Sequence, residues 1–145
     1  MGARSYQVTR TIHASPDTVW RLLTNADTYS EWNKAVIDIQ GPIRTGDRIR
    51  LISVADPKRT FKLEVSEMDA PTRMVWCDGM PFGLFTGRRT YTIIGDGPDR
   101  SEFAMIEEFS GPLAPLITKA IPDLTESFEL FADSLKTAAE ARGSR

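Results

Sequence analysis

Four polar side chains sit among aromatic ones in the second half of the sequence: Asp78, Arg89, Tyr91 and Glu107. If the segments flanking the turn at Gly95 to Arg100 form an antiparallel hairpin, partners keep a constant sum of positions. Tyr91 opposite Met105 then sets Arg89 opposite Glu107 and Gly87 opposite Phe109. The period of two puts Arg89, Tyr91, Ile93, Phe103, Met105, Glu107 and Phe109 on one face, and that face is mainly apolar. A guanidinium and a carboxylate placed there serve either as a structural ion pair or as the contact for a ligand's polar head, because an unpaired ion in such surroundings is costly. With Glu107 or Asp78 as base and Arg89 steadying an enolate, the same groups suit proton transfer beside a carbonyl. No spacing in the sequence demands that reaction.

The remaining chemistry-bearing residues are few. His13 falls on the polar side of the first strand, away from any interior, which argues against a general base. Cys77 alternates away from Trp76 and Met74 and has no histidine close in sequence, so it reads as an inert thiol. One His and one Cys cannot build a Cys/His zinc site, and no carboxylate cluster is evident, so the reading is metal-free and cofactor-free.

These groups need elements to hold them. From Pro122 onward Leu124, Phe128, Phe131 and Leu135 recur at helical spacing, with Glu126, Glu129, Asp133, Lys136 and Glu140 between them. This predicts an amphipathic helix within Pro112 to Arg142, kinked or broken at Pro122, whose first segment could act as a gate or merely bend around a sheet. Upstream, Ser5 to His13 alternates as a strand, with Tyr6, Val8 and Ile12 on one side. Ser15-Pro16-Asp17 caps a helix bearing Val19, Trp20, Leu22 and Leu23, and Asp27 is the expected cap of a shorter helix with Tyr29 and Trp32. Strands follow at Ala35 to Gln40, Asp47 to Val54, Phe61 to Val65, Met74 to Trp76, Leu84 to Ile94 and Glu102 to Phe109, with a loop at Asp78 to Gly83. Short connections favour antiparallel neighbours, and the first strand belongs beside the last or beside strand two.

Length and composition bound the rest. At 145 residues and 41% apolar content the chain fits one domain, 1–145, with a real core. The formal charge of −2, without a basic block, argues against nucleic acid. No apolar leader and no window of eighteen apolar residues predict a cytoplasmic protein without membrane insertion, a monomer or homodimer.

An opening strand followed by Ile12-His13-Ala14-Ser15-Pro16-Asp17-Thr18-Val19-Trp20, with Trp32 after a second helix, resembles the START-like (SRPBCC) superfamily. The likeness continues through Phe61-Lys62-Leu63-Glu64-Val65, Met74-Val75-Trp76 and Glu107-Glu108-Phe109-Ser110-Gly111-Pro112-Leu113, and is greatest to polyketide cyclase/dehydrase-like members. It implies an α+β helix-grip fold: a curved seven-stranded antiparallel sheet around a long C-terminal helix, with two short helices after strand one. It also implies a cavity for a small hydrophobic molecule such as a lipid or polyketide. Candidate ligand-binding residues are Trp32, Trp76, Phe85, Arg89, Tyr91, Phe103, Met105, Glu107, Phe109, Leu124, Phe128 and Phe131; the same residues would equally describe a filled core. A binder, a polyketide cyclase/aromatase-type enzyme and an interaction module docking through Met80-Pro81-Phe82 are the functions that fit.

Overall fold

The computed structural model describes residues 4–143. The first strand, β1 (Arg4–Ile12), buries Val8 and Ile12 while Gln7 and Thr9 face water, as alternation requires. Helix α1 (Pro16–Thr24) starts as its sequence dictates: Ser15 Oγ accepts from the Thr18 N–H at 3.2 Å, and Asp17 lies in the first turn. It buries Val19, Leu22 and Leu23 and leaves Trp20 half-buried at the margin of the core. The next cap is Asn25, not Asp27. Its Oδ1 accepts from the Asp27 N–H at 3.2 Å and opens a 3-10 turn, Ala26–Thr28, that runs into α2 (Tyr29–Trp32). Asn and Asp cap equally well, and the one nearer the break reaches the free amide first.

Six more strands follow: β2 (Val36–Gln40), β3 (Arg48–Ser53), β4 (Phe61–Asp69), β5 (Arg73–Met80), β6 (Phe85–Gly95) and β7 (Ser101–Ser110). All seven form one antiparallel sheet in the order β1-β7-β6-β5-β4-β3-β2, so β1 takes the place beside the last strand. The β6/β7 register sets Arg89 opposite Glu107, Tyr91 opposite Met105 and Gly87 opposite Phe109, as the constant-sum argument requires. The loop expected over Asp78 to Gly83 is shorter than its glycines and proline suggest. Pairing of β5 with β6 carries on to Met80, and only Pro81–Gly83 turns, as a 3-10 element. Register shifts at Val36/Asp38 and Val65/Glu67 mark bulges that bend the layer.

The C-terminal quarter is two helices, α3 (Ala114–Thr118) and α4 (Thr125–Gly143). Pro122 offers no N–H and disfavours helical geometry at Ile121, which accounts for the break between them. Asp123 restarts the chain by accepting from the Thr125 N–H at 2.9 Å. Leu124, Phe128, Phe131 and Leu135 are all buried, with Ala132 and Ala139 beside them. Burial of the four large side chains contributes roughly 6 to 12 kcal/mol gross. Polar ties hold α4 to β1: Lys136 Nζ donates to the Thr11 carbonyl at 2.7 Å, and Arg10 Nε to Asp133 at 2.7 Å. The sheet thus curls around α4 in a helix-grip fold. No helix among the described residues is long and apolar enough to cross a membrane.

Candidate functional site

Sheet and helix do not close completely on each other. A cavity of about 190 Å³ remains between them. Its floor is β5, β6 and β7, which supply Trp76, Asp78, Phe85, Gly87, Arg89, Met105, Glu107 and Phe109. Its roof is α4 with the segment before it, which supplies Leu124, Phe128 and Phe131. Ile117 of α3 and Ile121 in the break before α4 line it too, as do Arg59 and Thr60 just ahead of β4 and Phe61 and Leu63 at its start.

Arg89 and Glu107 are the polar centre of this space. Arg89 Nε donates to Glu107 Oε1 at 2.7 Å, and the two side chains are only 15% and 14% exposed. The guanidinium carbon also stands 4.8 Å from the centre of the Phe128 ring, a cation–π contact from the roof. Arg89 Nη1 reaches the Tyr91 hydroxyl at 3.4 Å. Burial works against the Arg89 charge, but Glu107 and Tyr91 more than offset it, so the guanidinium is held above its ordinary value. Burial likewise pushes the Tyr91 hydroxyl up to about 12, against the pull of Arg89. Tyr91 is therefore a neutral hydrogen-bonding group at any physiological pH.

Asp78 is the third ionisable group, and a missing side chain places it. Residue 87 faces it across the β5/β6 ladder, and a Cβ there would meet Asp78 Oδ1 at 2.4 Å and the Phe109 ring at 3.4 Å. Gly87 is thus what lets the carboxylate lie over the floor of the cavity. Burial, followed by the negative charge of Glu107, raises the Asp78 carboxyl to about 6, while Arg89 and Arg59 act in the opposite sense. The carboxyl is mostly ionised at pH 7 and mostly protonated at pH 5. That is the range in which a group can both take and return a proton.

Of the twelve residues expected around a ligand, nine line the cavity, along with Asp78. Tyr91, Phe103 and Trp32 do not. Tyr91 is fully buried beyond Arg89, with its ring 4.9 Å from Trp76, 6.3 Å from Phe103 and 5.8 Å from Phe131, so that pair fills the core between sheet and helix past the end of the cavity. Trp32 packs on Tyr29 at 5.0 Å and on Phe131 at 6.3 Å, and Phe131 takes the place in the wall. His13 is exposed, and its backbone N–H donates to Glu140 at 2.9 Å. Cys77 lies half-buried outside the lining, 3.5 Å from Ser66 Oγ. The residues of β4 and the turn before it went unrecognised. Phe61 and Leu63 alternate plainly enough, but no local hairpin rule fixes which side of them the helix covers. Among the described residues no cluster of His, Cys, Asp and Glu is placed to hold a metal ion.

Residues 3–140 match the family described as polyketide cyclase/dehydrase and lipid transport. Among solved structures the chain is similar to the Zhui aromatase/cyclase from Streptomyces sp. R1128, at 14% identity and a TM-score of 0.75, over 97% of this chain and 95% of that one. It is also similar to a START superfamily protein from Mycobacterium smegmatis, at 15% identity and a TM-score of 0.69, over 95% and 98% of the two chains. A third similar structure is norcoclaurine synthase from Thalictrum flavum in complex with dopamine and hydroxybenzaldehyde. There the identity is 14% and the TM-score 0.70, over 99% of this chain and 90% of that one. At such identities the likeness is one of fold. No curated protein matches the sequence. With a family match over nearly its whole length and START-like neighbours in fold, the chain belongs to the polyketide cyclase/dehydrase and lipid transport family.

Proposed function

We infer that the protein binds a small, mainly apolar molecule in the space between sheet and helix, with the molecule's polar group turned toward Arg89, Glu107 and Asp78. The observation that carries this reading is the enclosure of about 190 Å³ walled by apolar side chains around one nearly buried ion pair. A dry cavity of about 150 Å³ holds a benzene-sized guest, so this one suits a body of one or two rings or a short stretch of acyl chain. The family's description as lipid transport, and the small phenolic ligands in the norcoclaurine synthase structure, are consistent with that size. Displacement of a small lipophilic fluorophore by a panel of aromatic and short-chain compounds tests it. Phe128→Trp and Leu63→Phe, which add bulk to opposite walls, should each weaken uptake at least tenfold while the protein still melts cooperatively. Absence of any uptake by native mass spectrometry across the panel would remove the reading.

One observation favours a second reading, an enzyme of the cyclase or dehydratase type. Asp78, raised to about 6, faces the same space as Arg89. Ionised Asp78 takes a proton from the carbon beside a ligand carbonyl, and the electron pair of the broken C–H bond moves to the carbonyl oxygen, where Arg89 stabilises it. The pair then returns from the oxygen to re-form the carbonyl and make a carbon–carbon double bond, the C–O bond to a hydroxyl on the next carbon breaks, and protonated Asp78 gives its proton to that hydroxyl, which leaves as water. Asp78→Asn should abolish such turnover and retain binding. Equal product formation by wild type and Asp78→Asn would dismiss the enzyme and leave the binder.

A further inference from the structure

Two neighbouring surface segments, residues 79–87 and 109–118, contain no Asp, Glu, Lys or Arg, in a chain that is 26% charged. They are joined by the Leu113 N–H, which donates to the Leu84 carbonyl at 2.9 Å, and by Gly111, where a Cβ would meet that carbonyl at 2.7 Å. Both border the cavity, since Phe85 and Ile117 line it. Their large exposed side chains are apolar: Phe82 is 98% exposed, Leu116 67%, Met80 42% and Leu84 37%.

Phe82 is unfavourable twice over. Its ring meets water on all sides, and its φ of 63° is a left-handed conformation that glycine adopts without strain and an aromatic residue adopts at a cost. Departures from local preference of this kind concentrate where function requires them. Arg59 and Lys62 line the same cavity, Lys58 adjoins Arg59 in sequence, and Lys119 caps the end of α3, two residues after Ile117 of the lining. All four are exposed and enter no salt bridge among the described residues.

We propose that this rim docks on an anionic lipid bilayer, Phe82 and Leu116 entering the interface while Arg59, Lys62 and Lys119 meet the head groups. These basic residues, none of them in a salt bridge among the described residues, supply the charge complementarity. The shape argues the same way: one ring protruding from a tight turn needs a matching pocket on a protein, whereas a bilayer yields to it. Area argues against a second copy of the chain. At about 150 to 250 Å² per large side chain, and counting only the exposed fraction of each, the four offer roughly 400 to 600 Å², short of the about 800 Å² per partner of a standard interface. The inference goes beyond ligand binding and stands whatever occupies the cavity.

Cosedimentation of the full chain with vesicles of phosphatidylcholine alone, or with phosphatidylserine added, tests it. Wild type is expected to sediment with the anionic vesicles and to release at high salt. Phe82→Gly is expected to lose binding at least tenfold while melting at a higher temperature, because the turn is relieved of strain. Lys119→Glu with Arg59→Glu is expected to lose the preference for phosphatidylserine. Sedimentation of Phe82→Gly equal to wild type, indifference to lipid charge, or no vesicle binding together with a dimer that Phe82→Gly dissolves would each overturn the proposal, the last by assigning the surface to a second copy.

Discussion

Replacing Arg89 by Met keeps an unbranched apolar stem, removes the guanidinium and its charge, and leaves Glu107 without its partner. The carboxylate is only 14% exposed and its bond to Arg89 Nε is 2.7 Å, so little solvent stands ready to take the arginine's place. Breaking a buried pair from one side costs about 3 to 5 kcal/mol. The cation–π contact with Phe128 at 4.8 Å is lost as well, worth about 0.5 to 2 kcal/mol. For a chain of this size that total corresponds to a fall of about 8 to 20 °C in melting temperature. The charge itself is the source of the penalty, so removing it restores most of the loss: Arg89→Met with Glu107→Leu should lie within about 1 kcal/mol of wild type. Denaturant unfolding of the three proteins at pH 7.5 reads both differences. A cost below about 1 kcal/mol for Arg89→Met, or a double variant no more stable than the single one, would refute the claim that the pair is buried and mutually compensating.

Asp78 gives a pH dependence of opposite sign to the usual carboxylate. Its folded value, about 6, lies above the unfolded one, so between about pH 4 and 6 the folded protein binds the extra proton and this group's contribution to stability falls as pH rises. Asp78→Asn should therefore stabilise the protein by about 3 kcal/mol at pH 7.5 and by less than about 1 kcal/mol at pH 4; a gain that is equal at both values contradicts the assignment. Gly87→Ala places a methyl group 2.4 Å from Asp78 Oδ1, so the carboxylate must move off the floor. NMR titration should show the Asp78 carboxyl moving away from about 6 toward the ordinary carboxylate range, and an unchanged titration would mean that the glycine does not position it.

How much of this was legible in the sequence follows from how local each determinant is. The Arg89–Glu107 pairing could be derived because β6 and β7 are consecutive and joined by one short turn, so a single register choice fixes every partner. The break before α4 follows from Pro122 alone, and the burial of Leu124, Phe128, Phe131 and Leu135 from their spacing. Parity, however, assigns a face and not a depth. Phe103 and Tyr91 share a face with Met105 and Glu107, yet they fall in the filled core past the end of the cavity. Which inward residues meet empty space depends on where the sheet curls away from the helix, and that is set by the bulges in β2 and β4 and by contacts between distant segments. Trp32 shows the same limit: its aromatic character announces burial, but the choice between Trp32 and Phe131 for the wall is made by the packing of α2 on α4. Gly87 was placed opposite Phe109 in advance. Its use became visible only when the Asp78 carboxylate was seen to fill the space a side chain would take.

The most direct test of an open, ligand-accepting interior is a titration with a one-ring aromatic compound, followed through the methyl groups of the methionines. Met105 stands in the cavity wall, Met74 is buried outside the lining, Met68 is half-buried elsewhere and Met80 is exposed. The account predicts a saturable shift of the Met105 methyl, abolished in Phe128→Trp, with Met68 and Met80 unmoved. A Met105 signal that stays in place at saturating ligand, or one that moves no more than that of Met80, would contradict it.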